Sequence, residues 1–291
     1  MNLTEALAQL YRHEYVTKLP AAVLAELRQL GYVVEQRAHL GYRLVESPDR
    51  LIADDLRARL KTQMIGKEIL VFEETASTND VVARLADGHR GEGLVVFAES
   101  QTKGRGRHGR VWSSPRGKGL WFSVLLRPRF PLTRLTVAAS VAVARVAGKE
   151  ARIKWPNDVT LHGRKLAGIL TEARDGVAIL GIGVNVNCQA KDLPAELHAT
   201  SLVTEDRPGL AAELLQELDE LYRQADEDFA RISTEWARLC TTVGKQIAIR
   251  MGDRRIEGHA QALDEDGALL IRRDSGKIER IVGADLTLER E

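Results

Sequence analysis

Gln101-Thr102-Lys103-Gly104-Arg105-Gly106-Arg107-His108-Gly109-Arg110-Val111-Trp112 alternates glycine with arginine and one histidine. Glycine lets a backbone take positive φ and approach a ligand closely. Arginine keeps its charge at any physiological pH and offers a planar fork that matches carboxylate and phosphate oxygens. A loop with both properties is suited to closing over an anion. It is not a Walker A loop, because no Gly-Lys-Ser/Thr stands at the required spacing, and it is not a GxGxxG turn before a helix. Taken alone, the stretch reads equally as a solvated basic hairpin, so its neighbours must decide.

Upstream, the apolar run Gly93–Ala98 reads as a strand leading into the loop, and Ile69–Phe72 as another. Between them Ser77, Thr78 and Asn79 precede a helix over Asp80–Ala86. Their plainest reading is N-cap chemistry. Downstream, Gly119–Leu126 reads as a buried strand and the Ala/Val-rich Leu132–Ala147 as a helix. Strands follow at Ile153–Trp155, Val159–Leu161, Lys165–Thr171 and Val177–Val186. The glycines of the last strand signal close approach of a ligand or another backbone. Leu210–Cys240 forms one or two amphipathic helices. Strands in antiparallel-looking pairs, with helices beside them, define an α+β main body over residues 63–240.

Residues 1–62 read as helix, helix and β-hairpin, the outline of a winged-helix domain. The helix after Pro20 carries Val23, Leu24, Leu27 and Leu30 on one face and stops at Gly31. Only the segment from Arg12 to Pro20 separates the two helices, so the middle helix of the usual three is missing. Residues 241–291 read as short strands with turns at Gly252-Asp253, Asp264–Gly267 and Ser275-Gly276, a small all-β barrel.

Composition bounds the function. The chain has 291 residues and a net charge of +1 from 42 basic and 41 acidic side chains, so no global charge marks a nucleic-acid binder. Two cysteines, Cys188 and Cys240, are too few for a disulfide framework and lack metal-ligand spacing. The start of the chain lacks a signal-peptide pattern and no apolar run suits a membrane span, so a cytoplasmic location is expected.

GRGRHGRVW (104–112), KWPNDV (154–159), GRKLAGIL (163–170) and GIGVNVN (181–187), in this order after STN (77–79), resemble the bacterial biotin–protein ligase family. The resemblance covers roughly residues 65–290. It implies a class II synthetase-like central mixed sheet, an SH3-like C-terminal barrel, and a bifunctional ligase/repressor with a shortened N-terminal domain. The implied reaction joins biotin to ATP, giving biotinyl-5′-AMP, and passes the biotinyl group to a lysine of a biotin carboxyl carrier protein. Attack of a carboxylate on a phosphorus needs cations to offset repulsion. The candidates are Arg105, Arg107, Lys154 and Lys165, with Mg²⁺ bridging the phosphates.

By resemblance, Lys165 is the catalytic lysine and Arg107 the residue that closes over the adenylate and excludes water. Ser77, Thr78, Asn79, Gln101 and the backbone near Gly104 and Gly168 would hold the neutral ureido ring, with Arg105 nearby. Trp112 and Leu170 would wall the ring and valeryl chain, although Trp112 reads equally as ordinary core. Lys154, Asn157 and Asp158 would face the nucleotide. Asp158 reads equally as an Asx-turn residue or as a carboxylate orienting metal, Lys165 or acceptor amine. Asn185 would contact adenine, and His108 is peripheral. Family members often dimerise through the central sheet, so a homodimer is an expectation. An octanoyltransferase would need a cysteine beside a base, which neither cysteine has in the sequence. Specific DNA binding is expected to be weak or absent because the helix-turn-helix is incomplete.

Overall fold

The computed structural model describes residues 1–87, 90–194, 198–251, 254–282 and 285–288. Helix α1 (Leu3–Arg12) starts at a capping box in which Asn2 and Glu5 satisfy each other's backbone N–H groups. After it, residues 13–20 run without a helix, and Val16 bridges to Tyr42. Helix α2 (Ala21–Gln29) follows Pro20 and ends where Gly31 takes a left-handed φ of 97°. Strands β1 (Val33–Arg37) and β2 (Gly41–Glu46) form an antiparallel hairpin. Leu7, Leu10, Val16, Leu27 and Tyr32 share one core with Ile52 and Ala58 at helix α3 (Ala53–Arg59). On its other side α3 sends Leu56 into the central core, so it joins the N-terminal unit to the main body by packing as well as by chain.

The central elements follow in chain order: β3 (Glu68–Phe72), α4 (Thr78–Ala86), β4 (Leu94–Ala98), β5 (Gly119–Leu126), α5 (Leu132–Ala147), β6 (Ala151–Lys154), β7 (Asp158–Leu161), β8 (Arg164–Arg174), β9 (Val177–Asn185), α6 (Arg207–Glu227) and α7 (Phe229–Leu239). The strands form one 7-stranded sheet in the order β3-β4-β5-β9-β8-β7-β6. Only β3 and β4 pair in parallel; the other pairs are antiparallel. The sheet is therefore mixed, as the sequence suggests.

Strand periodicity sorts the side chains between two faces. Val95, Phe97, Leu120, Phe122, Val124, Leu180, Ile182 and Ile169 enter the large core with α5, α6 and α7. Leu94, Val96, Leu125 and Ile179 pack instead on Val81 and Val82 of α4. Full burial of each such aliphatic side chain is worth ~1.5–3 kcal/mol. Helix α4 covers only part of its face. Its first turn sits over Gly181 through Asn79, while beyond that turn Gly168 and Leu170 of β8 and Gly183 of β9 have no helix above them, and that gap becomes the cavity described below.

The C-terminal strands are β10 (Gln246–Met251), β11 (Arg254–Leu263), β12 (Leu269–Arg272), β13 (Ile278–Ile281) and β14 (Asp285–Leu288). They form a 5-stranded antiparallel sheet ordered β13-β12-β11-β10-β14. The last of them, β14, pairs with β10. Its Asp285-Leu286-Thr287-Leu288 sequence alternates polar and apolar residues, but over four residues only. The expected turn at Gly252-Asp253 lies outside the described residues. The sheet meets the main body at the start of α5, where Arg134 donates to Glu265 O at 2.9 Å and stacks over Phe229. No helix among the described residues is long and apolar enough to cross a membrane.

Candidate active site

Register explains the cavity. Gly183 lies between Trp121 on β5 and Gly168 on β8, and Gly181 between Ser123 and Leu170. Two glycines at alternate positions of β9 leave depressions in the pocket face. Side chains fill them. A Cβ on Gly183 would come within 2.5 Å of Trp112 Nε1, and one on Gly181 within 2.3 Å of Asn79 Oδ1. The strand glycines thus admit an indole and an amide. Trp112 also packs edge-on against Trp121 at 6.2 Å. Its Nε1 is buried without a hydrogen-bond partner.

The glycine-arginine stretch is a hairpin. Arg105 bridges to Val111, Trp112 N donates to Gly104 O at 2.9 Å, and Gly106 N donates to Arg110 O at 2.7 Å. A single 3₁₀ turn at Arg107–Gly109 forms the tip, with His108 at a φ of 55°. Hairpin, sheet and α4 enclose a cavity of about 180 Å³. It brings together Ser77, Thr78, Asn79, Gln101, Arg105, Arg107, Trp112, Lys154, Asn157, Asp158, Lys165, Gly168 and Leu170, residues drawn from stretches far apart in sequence.

One end of the cavity is neutral and polar. Ser77 holds the N-cap position of α4 but makes no side-chain cap bond. Thr78 and Asn79 are buried in the first turn and turn toward the sheet. The plain N-cap reading of this triplet is therefore corrected: the side chains serve the pocket face. Gln101 Oε1 accepts from Thr78 N at 2.9 Å and from Thr78 Oγ1 at 3.2 Å, while Gln101 Nε2 donates to Ser114 Oγ at 2.9 Å. Ser123 Oγ lies 2.7 Å from Thr78 Oγ1 and 2.5 Å from Asn79 Oδ1.

The other end is charged. Lys154 and Asp158 face each other across the β6–β7 hairpin. Lys165 Nζ lies 2.8 Å from Asp158 Oδ1 and 5.4 Å from the Trp112 ring centroid. Asp158 therefore orients Lys165. Asn157 Nδ2 donates to Ile169 O at 3.0 Å, which ties the hairpin tip to β8. The backbone of Lys165 is fixed from the far side: Lys165 N donates to His198 O and Thr200 N donates to Lys165 O.

Two expected site residues stand apart. Asn185 does not line this cavity; its buried side chain donates to Thr200 O at 2.9 Å and braces the segment that holds Lys165. Gly104 is at the neck of the hairpin, where a Cβ would meet Trp112 O at 2.5 Å. Glu172 is the residue that the sequence did not single out. It pairs with Arg105 at 3.0 Å and accepts from Asn79 Nδ2 at 2.5 Å. Arg105 is also paired with Asp80 at 2.7 Å. The alternation Gly168, Leu170, Glu172 along β8 could have flagged it.

Neither cysteine lines the cavity, and burial pushes both thiols above the ordinary value. A nucleophilic cysteine needs the opposite shift. Among the described residues, no group of three or more His, Cys, Asp or Glu side chains is placed to hold a metal ion.

Residues 71–188 match the Biotin/lipoate A/B protein ligase family, and residues 242–286 match the Biotin protein ligase C terminal domain. A bifunctional ligase/repressor BirA of Bacillus subtilis is 38% identical over 285 residues, covering 91% of this chain and 87% of that protein. A biotin--[acetyl-CoA-carboxylase] ligase of Mycobacterium tuberculosis is 33% identical over 235 residues, covering 73% of this chain and 88% of that protein. A solved biotin protein ligase from Aquifex aeolicus, in complex with biotin and ATP, superposes with a TM-score of 0.67 at 28% identity, covering 77% of this chain and 100% of that one.

Proposed function

The chain belongs to the biotin–protein ligase family, and from that premise we propose that its cavity joins biotin to ATP and then transfers the biotinyl group to a lysine of a biotin carboxyl carrier domain. The observation that carries this reading is the polarity of the cavity. A neutral hydrogen-bonding end built on Thr78, Asn79 and Gln101 faces a cationic end built on Lys154, Lys165 and Arg107. Biotin has the same two ends, a neutral ureido ring and a carboxylate.

In this reading Ser77, Thr78 and Gln101 take the ureido ring, and Trp112 with Leu170 walls the apolar chain. Lys165, oriented by Asp158, reaches the biotin carboxylate and α-phosphate together. It offsets their repulsion and stabilises the charge that spreads as pyrophosphate leaves. Lys154 and Arg107 serve the phosphates, and ATP arrives as its Mg²⁺ complex, so the metal comes with the substrate. Asn157 and Asn185 act by fixing the backbone around Lys165. Arg107, at the hairpin tip, shields the mixed anhydride from water until the carrier lysine attacks its carbonyl and AMP departs.

Residues 1–62 are assigned as a reduced winged-helix unit without specific DNA recognition. Residues 63–240 form the catalytic unit, residues 241–291 a small SH3-like barrel, and the protein works in the cytoplasm. The test is exchange of labelled pyrophosphate into ATP. Biotin-dependent exchange is expected. Exchange without biotin, or its absence with both substrates present, overturns the reading.

A further inference from the structure

Glu172 lies on the pocket face, where an uncompensated carboxylate would repel the anions that the proposed reaction brings in. Its charge is compensated by Arg105, whose Nη2 lies 3.0 Å from Glu172 Oε2. Arg105 in turn is paired at 2.7 Å with Asp80 in the first turn of α4. Two carboxylates around one guanidinium leave this cluster net negative. Arg105 is therefore poorly suited to bind phosphate, unlike Lys165, which has one carboxylate partner.

The same carboxylate accepts from Asn79 Nδ2 at 2.5 Å. Asn79 Oδ1 lies 2.5 Å from Ser123 Oγ, which is 2.7 Å from Thr78 Oγ1. Thr78 donates to Gln101. A continuous polar chain thus runs from the head-group end of the cavity to the arm of the glycine hairpin, and Glu172 is its junction. Gly181 permits that junction, because a Cβ there would strike Asn79.

We propose that Glu172 is a positioning residue for biotin activation, coupling occupancy of the head-group end to closure of the glycine hairpin through Asn79 and Arg105. The proposal rests on the biotin-site reading above. It separates the hairpin's arginines: Arg105 is a strut held by Glu172 and Asp80, while Arg107 serves the intermediate. Loss of the junction should weaken biotin binding and adenylate retention together, and leave ATP recognition in place.

The test uses the full chain and biotin-dependent pyrophosphate exchange, with KM measured separately for biotin and MgATP, alongside the release rate of biotinyl-adenylate. Absent exchange in the unmodified protein counts against the ligase reading, and the comparison of variants presupposes that exchange. Removing a charge-assisted hydrogen-bonded partner at a partly exposed site is worth about tenfold. E172A is therefore expected to raise the KM for biotin and the adenylate release rate each by about tenfold, with the KM for MgATP changed less than about twofold. E172Q keeps an acceptor without the charge and should recover about half of the loss on a logarithmic scale. The E172A/R105A double variant should be no worse than the worse single one. Should E172A fail to fold, E172Q and R105A carry the same split between the two KM values. Unchanged biotin KM, equal rises in both KM values, or multiplicative losses in the double variant overturn the proposal.

Discussion

Two hairpins of this chain carry glycine, histidine and arginine near their tips: residues 104–112 in the central unit, and the β1–β2 connection between Arg37 and Arg43. In the second, Gly41 is pressed against the chain at Val16, since a Cβ there would lie 2.3 Å from Val16 O. Arg37 pairs with Glu35 at 3.2 Å, and Arg43 lies 3.9 Å from both Glu14 and Glu35. The neighbouring helix α2 exposes Ala21, Ala22 and Ala25 together with Glu26, Arg28 and Gln29. In the first hairpin, glycines on the opposing strands leave room for Trp112 and Asn79, and lysines from other elements converge beside it. Composition alone does not distinguish the two. What lies behind each hairpin does: a sheet with a gap in one case, the closely packed non-helical link between α1 and α2 in the other.

If that contrast is right, damage to the central site should dwarf damage to the N-terminal hairpin. The largest effect is expected at Lys165. K165A should lower biotin-dependent pyrophosphate exchange ~10³-fold while the melting temperature moves little, because Lys165 is partly exposed and its one carboxylate partner sits at the cavity. Exchange within tenfold of the unmodified protein removes Lys165 from its role. Next comes R107G, which should release biotinyl-adenylate roughly a hundredfold faster and raise nonspecific labelling of free lysines. An unchanged lifetime of the intermediate contradicts the shielding role.

A smaller effect is expected at the strand glycines. G183A places a methyl 2.5 Å from Trp112 Nε1, so the indole must shift; biotin KM should rise about tenfold, by the usual cost of overpacking. A normal KM would show that Trp112 is ordinary core. In the other hairpin, replacing Arg37 and Arg43 with alanine should change exchange by less than about twofold. A mobility shift with biotin and MgATP should show no preference for any DNA sequence beyond about tenfold. Tight specific binding would erase the contrast.

The smallest effect concerns acid. The hydrogen bond from Arg145, set against partial burial, holds the Glu235 carboxyl below its ordinary range. The folded chain therefore binds fewer protons there than the unfolded chain. The pair contributes stability above the usual glutamate value and loses it as pH falls through the lowered folded value. E235Q should flatten the fall in Tm between about pH 6 and about pH 3 by about 1–2 °C. An identical acid limb in both proteins assigns the lowering no weight.

Much of the fold is legible because apolar runs and glycine stops are local. Gly93–Ala98, Leu132–Ala147 and the helix after Pro20 announce themselves, and β4, α5 and α2 stand close to those bounds. The short β14 is not legible, since its strand character comes from pairing with β10. At the site, motif residues such as Lys165 and Asp158 are close in sequence and share one hairpin neighbourhood. Glu172 is not legible in that way: Asn79 and Arg105 reach it from 93 and 67 residues away. Asn185 sits in a motif yet turns from the cavity to brace Thr200, a contact only the folded chain supplies.

The most direct test of the central claim is intact-mass analysis of a biotin carboxyl carrier domain after incubation with biotin, MgATP and this protein. The account predicts one biotinyl group on a single carrier lysine with the unmodified protein and none with K165A. An unmodified carrier, or equal labelling by K165A, would contradict it.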